Sequence, residues 1–210
     1  MTENEARTRW NTRHAARARH PDAARFLTAR EDLLPRSGRA LDVAGGTGRN
    51  AVRLARRGLR TTLVDVSDEA CRQAREAAAA VGVALEVVRA DVTTDGLPAG
   101  PWDVVLCHHF LDLAVWRSGA QALSPGGLLL ACQPTVRNLE RHERPARRWL
   151  LDEGQLAAEV AGWCDVEVIE LDEGWTDEGR HEARLVVRRT DPHPSGRDAV
   201  QRATLASGTV

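Results

Sequence analysis

At 210 residues the chain is long enough for one sizeable α/β domain with a core of its own. Its formal net charge of −1 excludes a global electrostatic attraction to nucleic acid or to an anionic membrane surface. All 29 basic residues are arginine, which excludes lysine Schiff-base chemistry and a P-loop lysine, and the absence of tyrosine removes a tyrosine-dependent dehydrogenase mechanism.

Residues 1–20 are polar and arginine-rich and read as a mobile or weakly helical arm. No apolar h-region is present there, so no signal peptide is expected. Residues 21–34 place Phe26, Leu27, Leu33 and Leu34 near helical spacing, with Pro21 suited to a first turn. "RALDVA" (39–44) is a short apolar strand. "RNAVRLARRG" (49–58) is a helix closed by Gly58. "LRTTLVDV" (59–66) is the second strand. Ser67 is the N-cap of a helix that carries Asp68 and Glu69 in its first turn, runs to about Val81 and stops at Gly82.

"VALEVVRAD" (83–91) is the third strand and "WDVVLCHH" (102–109) the fourth. A helix is expected over 110–123, then a turn at "SPGG" into "LLLACQ" (128–133), the fifth strand. "DEGQLAAEVAG" (152–162) is a later helix, and 164–173 and 182–190 are two strands around "WTDEGR". From about Asp191 the composition predicts a disordered tail. Cys71, Cys107, Cys132 and Cys164 form no CxxC pair and read as free thiols in a reducing cytoplasm. No run of eighteen apolar residues exists to span a membrane.

Strands alternating with helices predict an α/β fold: a Rossmann-like, doubly wound, mostly parallel seven-stranded sheet with helices on both faces and an antiparallel closing strand. One domain over 1–190 is expected, with an N-terminal arm or lid over about 1–35. In such sheets ligands bind beyond the carboxyl ends of the strands. Here those ends carry "AGGTG", Asp65, Asp91 and "CHHF".

Two ligands compete for the glycine turn. Gly46-Thr-Gly48-Arg-Asn-Ala51 fits the dinucleotide pattern G-x-G-x-x-A, and Asp65, 17 residues after Gly48, suits a ribose in either case. Charge discriminates. Asp42, just before the turn, would repel a pyrophosphate, which needs bare amides. S-adenosylmethionine has no phosphate, and its ammonium and sulfonium are both cationic. Asp42, Asp65 and Asp91 on neighbouring strand ends suit a ligand that is cationic at one end and hydroxylated in the middle. The alternatives are a nicotinamide-dependent oxidoreductase using the same turn, and a binding module that holds the cofactor without turnover.

"ALDVAGGTGRNAVRLARRG", "LVDVSDEACRQA", "RADV", "WDVVLCHHFL" and "LSPGGLLL" resemble, in order, the successive motifs of class I S-adenosylmethionine-dependent methyltransferases over roughly residues 39–131. "WNTRHA" and "RPARRWLLDEGQL" are further similar to small bacterial tellurite- and thiopurine-type methyltransferases. Ala44 departs from the family's usual first glycine, which is tolerable if its φ stays negative. The resemblance implies that Asp42, Gly45, Gly46 and Gly48, with Ala44 and Asn50, line the methionine side. It implies that Asp65 takes the ribose hydroxyls, with Val66 and Ser67 near the adenosine, and that Asp91 and Val92 meet the adenine. Cys107 and His108 would lie beside the cofactor.

Methyl transfer requires the nucleophile to be aligned behind an activated methyl, and a base only when the nucleophile is poorly acidic. His109, beyond the fourth strand, is the candidate base, with Asp112 second. Alternation along the strand would send the His108 and His109 rings to opposite faces, so no metal site is expected at "CHH". The arm around Trp10, Asn11 and Arg13 suits a lid, and Arg144 in the arginine-rich 137–148 segment suits an anionic acceptor. The expected partner is a small-molecule acceptor, without nucleic acid or membrane, for a cytoplasmic monomer or homodimer.

Overall fold

The computed structural model describes residues 3–16 and 22–190. Pro21 and the tail from Asp191 lie outside the described residues, so their expected roles are not addressed. The strands are β1 (Arg39–Val43), β2 (Arg60–Asp65), β3 (Glu86–Arg89), β4 (Trp102–His108), β5 (Leu123–Pro134), β6 (Val166–Trp175) and β7 (His181–Arg189). They form one sheet in the order β3-β2-β1-β4-β5-β7-β6. Only β7 runs against its neighbours, and it lies between β5 and β6. The chain order reverses between β1 and β4, which is where such sheets hold ligands.

Helices cover both faces. The helices are α1 (Glu3–Ala15), α2 (Arg25–Thr28), α3 (Arg49–Arg56), α4 (Asp68–Ala80), α5 (Leu113–Gln121) and α6 (Gln155–Val160). Strand alternation divides the core in two. Leu41, Val43, Val105, Cys107, Leu129 and Leu185 pack against Trp116 of α5 and Leu156 of α6. Ala40, Val104, Leu106, Leu130, Cys132 and Val186 pack against Phe26 and Leu27 of α2 and Leu54 of α3. Each fully buried leucine contributes roughly 2 kcal/mol of transfer free energy.

The end signals read from the sequence hold in the fold. Ser67 Oγ accepts the Ala70 N–H at 3.1 Å, capping α4. Gly58 adopts φ +108°, and a Cβ there would lie 2.4 Å from the Arg36 carbonyl oxygen. Asp112, not read as an end signal from the sequence, caps α5, its Oδ1 accepting the Val115 N–H at 3.0 Å.

Three expectations are corrected. The N-terminal arm is an ordered helix from Glu3 to Ala15, polar along its length, that docks on α4. The helix expected over 21–34 breaks into α2 and a single 3-10 turn over Glu31–Leu33, because Arg30 leaves helical geometry (φ −118°, ψ 13°) and its N–H donates to the Leu27 carbonyl at 3.0 Å. The "SPGG" segment is part of β5, where Ser124 Oγ donates to the Trp102 carbonyl at 3.0 Å. After β5 the arginine-rich segment makes two further 3-10 turns, Val136–Glu140 and Arg147–Trp149.

Candidate active site

The glycine turn joins β1 to α3 at the carboxyl edge of the sheet. Asp42, at the end of β1, is 1% exposed, and burial pushes its carboxyl up to about 7. The Ala51 backbone N–H engages the carboxylate, but Oδ2 has no hydrogen-bond partner among the described residues. A buried carboxylate oxygen without a partner costs free energy, and a cationic ligand would offset that cost. Gly45 leaves room for it, since a Cβ there would sit 2.7 Å from Asp42 Oδ2.

Asp65, at the end of β2, is tied to the turn. Its Oδ2 accepts the Gly46 N–H at 2.9 Å, and its Oδ1 accepts the Ser67 N–H at 2.8 Å. Burial raises this carboxyl too. Gly46 adopts φ +57°, and a Cβ there would meet only the His14 ring, at 3.4 Å, so the turn presents bare backbone on that side. Asp91 is buried beyond β3, and its Oδ1 accepts both the Thr93 N–H at 3.0 Å and the Thr93 hydroxyl at 2.6 Å. Val92 beside it is buried. The three acids expected from the sequence therefore share one edge of the sheet. Val66 is half-buried between Asp65 and Ser67.

Several expected site residues have other duties. Ala44 has φ +50°, so the negative φ on which the missing glycine was to be tolerated is corrected: an alanine occupies the left-handed region. Asn50 is buried and its Oδ1 accepts the Ala24 N–H at 2.9 Å, anchoring the approach to α2. The Cys107 side chain is completely buried in the apolar layer against α5, and burial raises its thiol far above the ordinary range. Asp112, the second candidate base, is spent as a helix cap.

α1 closes one side of this edge. Asn11 Oδ1 accepts from Ser67 Oγ at 2.7 Å and from the Glu69 N–H at 3.3 Å, while Asn11 Nδ2 donates to Asp68 at 3.2 Å. Arg7 pairs with Asp68. Trp10 stands 6.4 Å, centroid to centroid, from Trp149 of the post-β5 segment, with the Arg9 guanidinium 4.7 Å above the Trp149 ring and Arg13 5.1 Å above Trp10. The arm and the long connection thus meet. Arg144 is exposed, and its carbonyl accepts from Asn138 Nδ2 at 3.2 Å. A groove of about 430 Å³, lined in part by Leu111, Arg147, Arg148 and Gln155, opens between α5 and that segment; no residue of the glycine turn lines it.

The end of β4 differs most from expectation. His108 follows Val104 and Leu106 on the α2–α3 face, its ring 6.2 Å from Phe26. Burial holds this imidazole well below the ordinary histidine range. His109 should point the other way. Instead its backbone turns to φ +58°, its N–H donates to the Cys132 carbonyl at 2.8 Å, and its ring stacks on His108 with centroids 3.9 Å apart. The expected divergence of the two rings is therefore corrected, because the strand ends at His108 and alternation ends with it.

Sequence reading missed the partners of this pair. Glu182, at the start of β7, is 5% exposed. It bonds His109 Nε2 at 2.8 Å and accepts from Cys132 Sγ at 3.2 Å. Burial alone would raise the Glu182 carboxyl, but the His109 and Cys132 contacts outweigh it and hold the group below its ordinary value. The signal was a lone acid opening the apolar run "HEARLVV". One ligand atom each from His108, His109 and Cys132 lie within 4.8 Å of one another.

Among the described residues no helix is long and apolar enough to cross a membrane. Residues 40–127 match the family model of the methyltransferase domain. Among solved structures, one described under the conversion of a disulfide bond into a thioacetal group during echinomycin biosynthesis aligns with TM-score 0.66 at 19% identity, covering 97% of this chain and 99% of that one. TehB from Haemophilus influenzae aligns with TM-score 0.63 at 17% identity, over 88% of this chain and 67% of that one. A methyltransferase from Thiobacillus denitrificans in complex with S-adenosyl-L-homocysteine aligns with TM-score 0.63 at 18% identity, over 87% of this chain and 98% of that one. At these identities the likeness carries the fold. A comparison with curated protein sequences finds no match. The matched segment spans the glycine turn, Asp65, Asp91 and the end of β4, and residues 40–127 are an S-adenosylmethionine-dependent methyltransferase domain within a sheet of the class I fold.

Proposed function

We propose that the chain methylates a small-molecule acceptor at the carboxyl edge of the sheet, with His109 as the group that takes the acceptor proton. S-adenosylmethionine, when bound, supplies a methyl group already activated by a sulfonium. Asp42 would hold its cationic end, Asp65 the ribose hydroxyls, and Asp91 with Val92 the adenine. Bare backbone at Gly46 would let the ligand approach the turn closely. α1 covers this side and limits access of water. Trp10, Arg13 and the groove at Arg147 and Arg148 would receive a planar or anionic acceptor, with Arg144 at its outer rim.

The observation that carries the base is the His109–Glu182 pair, 2.8 Å apart. A buried carboxylate on Nε2 orients the ring, favours the tautomer with its proton on Nε2, and leaves Nδ1 to accept a proton. A hydroxyl acceptor needs this step and a thiolate does not.

The test is a single-turnover methylation at saturating cofactor, run over pH 6–9 with phenol, carboxylate, amine and thiol acceptors. His109→Ala should bind the cofactor as wild type does and transfer methyl to a hydroxyl roughly 10²-fold more slowly. Equal rates for the two proteins at every pH would remove His109 from the base role.

A further inference from the structure

We propose that His108, His109 and Cys132 form a three-ligand site for a zinc-class divalent cation, with Glu182 as the carboxylate that orients two of the ligands. Three observations converge on this corner. The ligand atoms of the three residues already lie within 4.8 Å of one another. The left-handed φ of +58° at His109, unusual for a non-glycine residue, is what brings its ring onto the His108 side of the sheet. Glu182 is almost fully buried, yet its only described side-chain partners are His109 Nε2 and Cys132 Sγ.

The donor set selects the ion. Two imidazoles and a thiolate suit zinc and its borderline-soft neighbours, and disfavour magnesium and calcium, which prefer oxygen. Metal-bound histidines characteristically give their second ring N–H to a carboxylate, and His109 has that arrangement with Glu182. Bond lengths of about 2.0–2.3 Å place tetrahedral ligands roughly 3.3–3.8 Å apart, so the side chains would draw in by no more than about 1.5 Å. Three protein ligands leave a fourth position for water or an acceptor heteroatom. His109 is the most exposed of the three and marks the open side.

Binding makes a metal–sulfur bond and breaks the Cys132 S–H bond. The proton passes to Glu182 Oε2, 3.2 Å away, and on to solvent. An imidazole nitrogen that holds the ion no longer accepts a proton, so the metal-free chain is the form in which His109 serves as a base. The metal site itself rests on side-chain geometry and stands whether or not that role holds.

The test is Co²⁺ titration of the untagged chain in a Cys164→Ser background, which removes the exposed thiol. Expected is one Co²⁺ per chain with a thiolate-to-cobalt charge-transfer band. Zn²⁺ should displace the Co²⁺. The band should vanish in Cys132→Ser and persist in Cys71→Ser, and His108→Gln should weaken binding at least tenfold. Circular dichroism melts identify folded variants, and His108→Gln, a change at a half-buried position, keeps the test open if Cys132→Ser does not fold. No binding at millimolar Co²⁺, a band that survives Cys132→Ser, or unchanged affinity in His108→Gln would overturn the site.

Discussion

The Gly46 amide donates to Asp65 Oδ2 at 2.9 Å, so the tip of β2 and the glycine turn after β1 are one hydrogen-bonded unit. The same carboxylate also holds the Ser67 N–H at the start of α4. Asp65 therefore shapes the turn, whatever it offers to a ligand.

Asp65→Ala should weaken S-adenosylmethionine by on the order of 1.5–3 kcal/mol, the scale of hydrogen bonds to a charged group. It should also lower stability, because two backbone donors lose their acceptor. Calorimetry and thermal melting measure the two effects separately. Unchanged affinity in a destabilised protein would leave Asp65 as a purely structural residue.

Asp42 gives a pH dependence. Its carboxyl titrates at about 7 in the ligand-free fold against 3.8 ordinarily, because of burial. A raised carboxyl stabilises the fold fully below about pH 4, and this contribution is lost as pH rises through 7. Over that window the loss is on the order of 4 kcal/mol. Wild type should therefore lose stability relative to Asp42→Asn between about pH 4 and 7 in urea unfolding. S-adenosylmethionine, whose cationic end favours the ionised form, should shrink this loss and bind more tightly at pH 7.5 than at pH 5.5. A parallel pair of stability curves would show that Asp42 ionises freely.

The turn tolerates one change and not another. Ala44 stands at φ +50°, where an L-residue pays about 1–2 kcal/mol, so Ala44→Gly should raise the melting temperature slightly after glycine's entropy is subtracted. Gly46→Val places a β-branched side chain at φ +57° on the ligand's side of the turn, and should abolish cofactor binding while the protein stays folded. Normal binding by Gly46→Val would move the cofactor elsewhere.

Asn11 fastens α1 to the start of α4 through Ser67, Asp68 and Glu69. Asn11→Ala should loosen that docking by about 1–2 kcal/mol. Hydrogen exchange should accelerate across residues 3–15, and cofactor affinity should fall with it. Unaltered exchange in α1 would show that the Arg7–Asp68 pair and the Trp10–Trp149 contact hold the helix without Asn11.

The sequence by itself determined the parts with local causes. Alternating apolar runs and helical segments specify the seven strands, Ser67 and Gly58 mark helix ends, and the glycines with Asp42, Asp65 and Asp91 mark the carboxyl edge of the sheet. Each of these signals depends on residues within a few positions of one another. The docking of α1 was not legible, because that helix is largely polar and is held by contacts to residues 56 or more positions away. The His109–Glu182–Cys132 corner was not legible either. It needs β7 to insert between β5 and β6, bringing Glu182 50 positions back to Cys132, and a left-handed turn at His109 that no local propensity announces. Tertiary packing decided these features because the free energy that fixes them comes from pairing distant strands, and buried polar groups take whatever partners that pairing supplies.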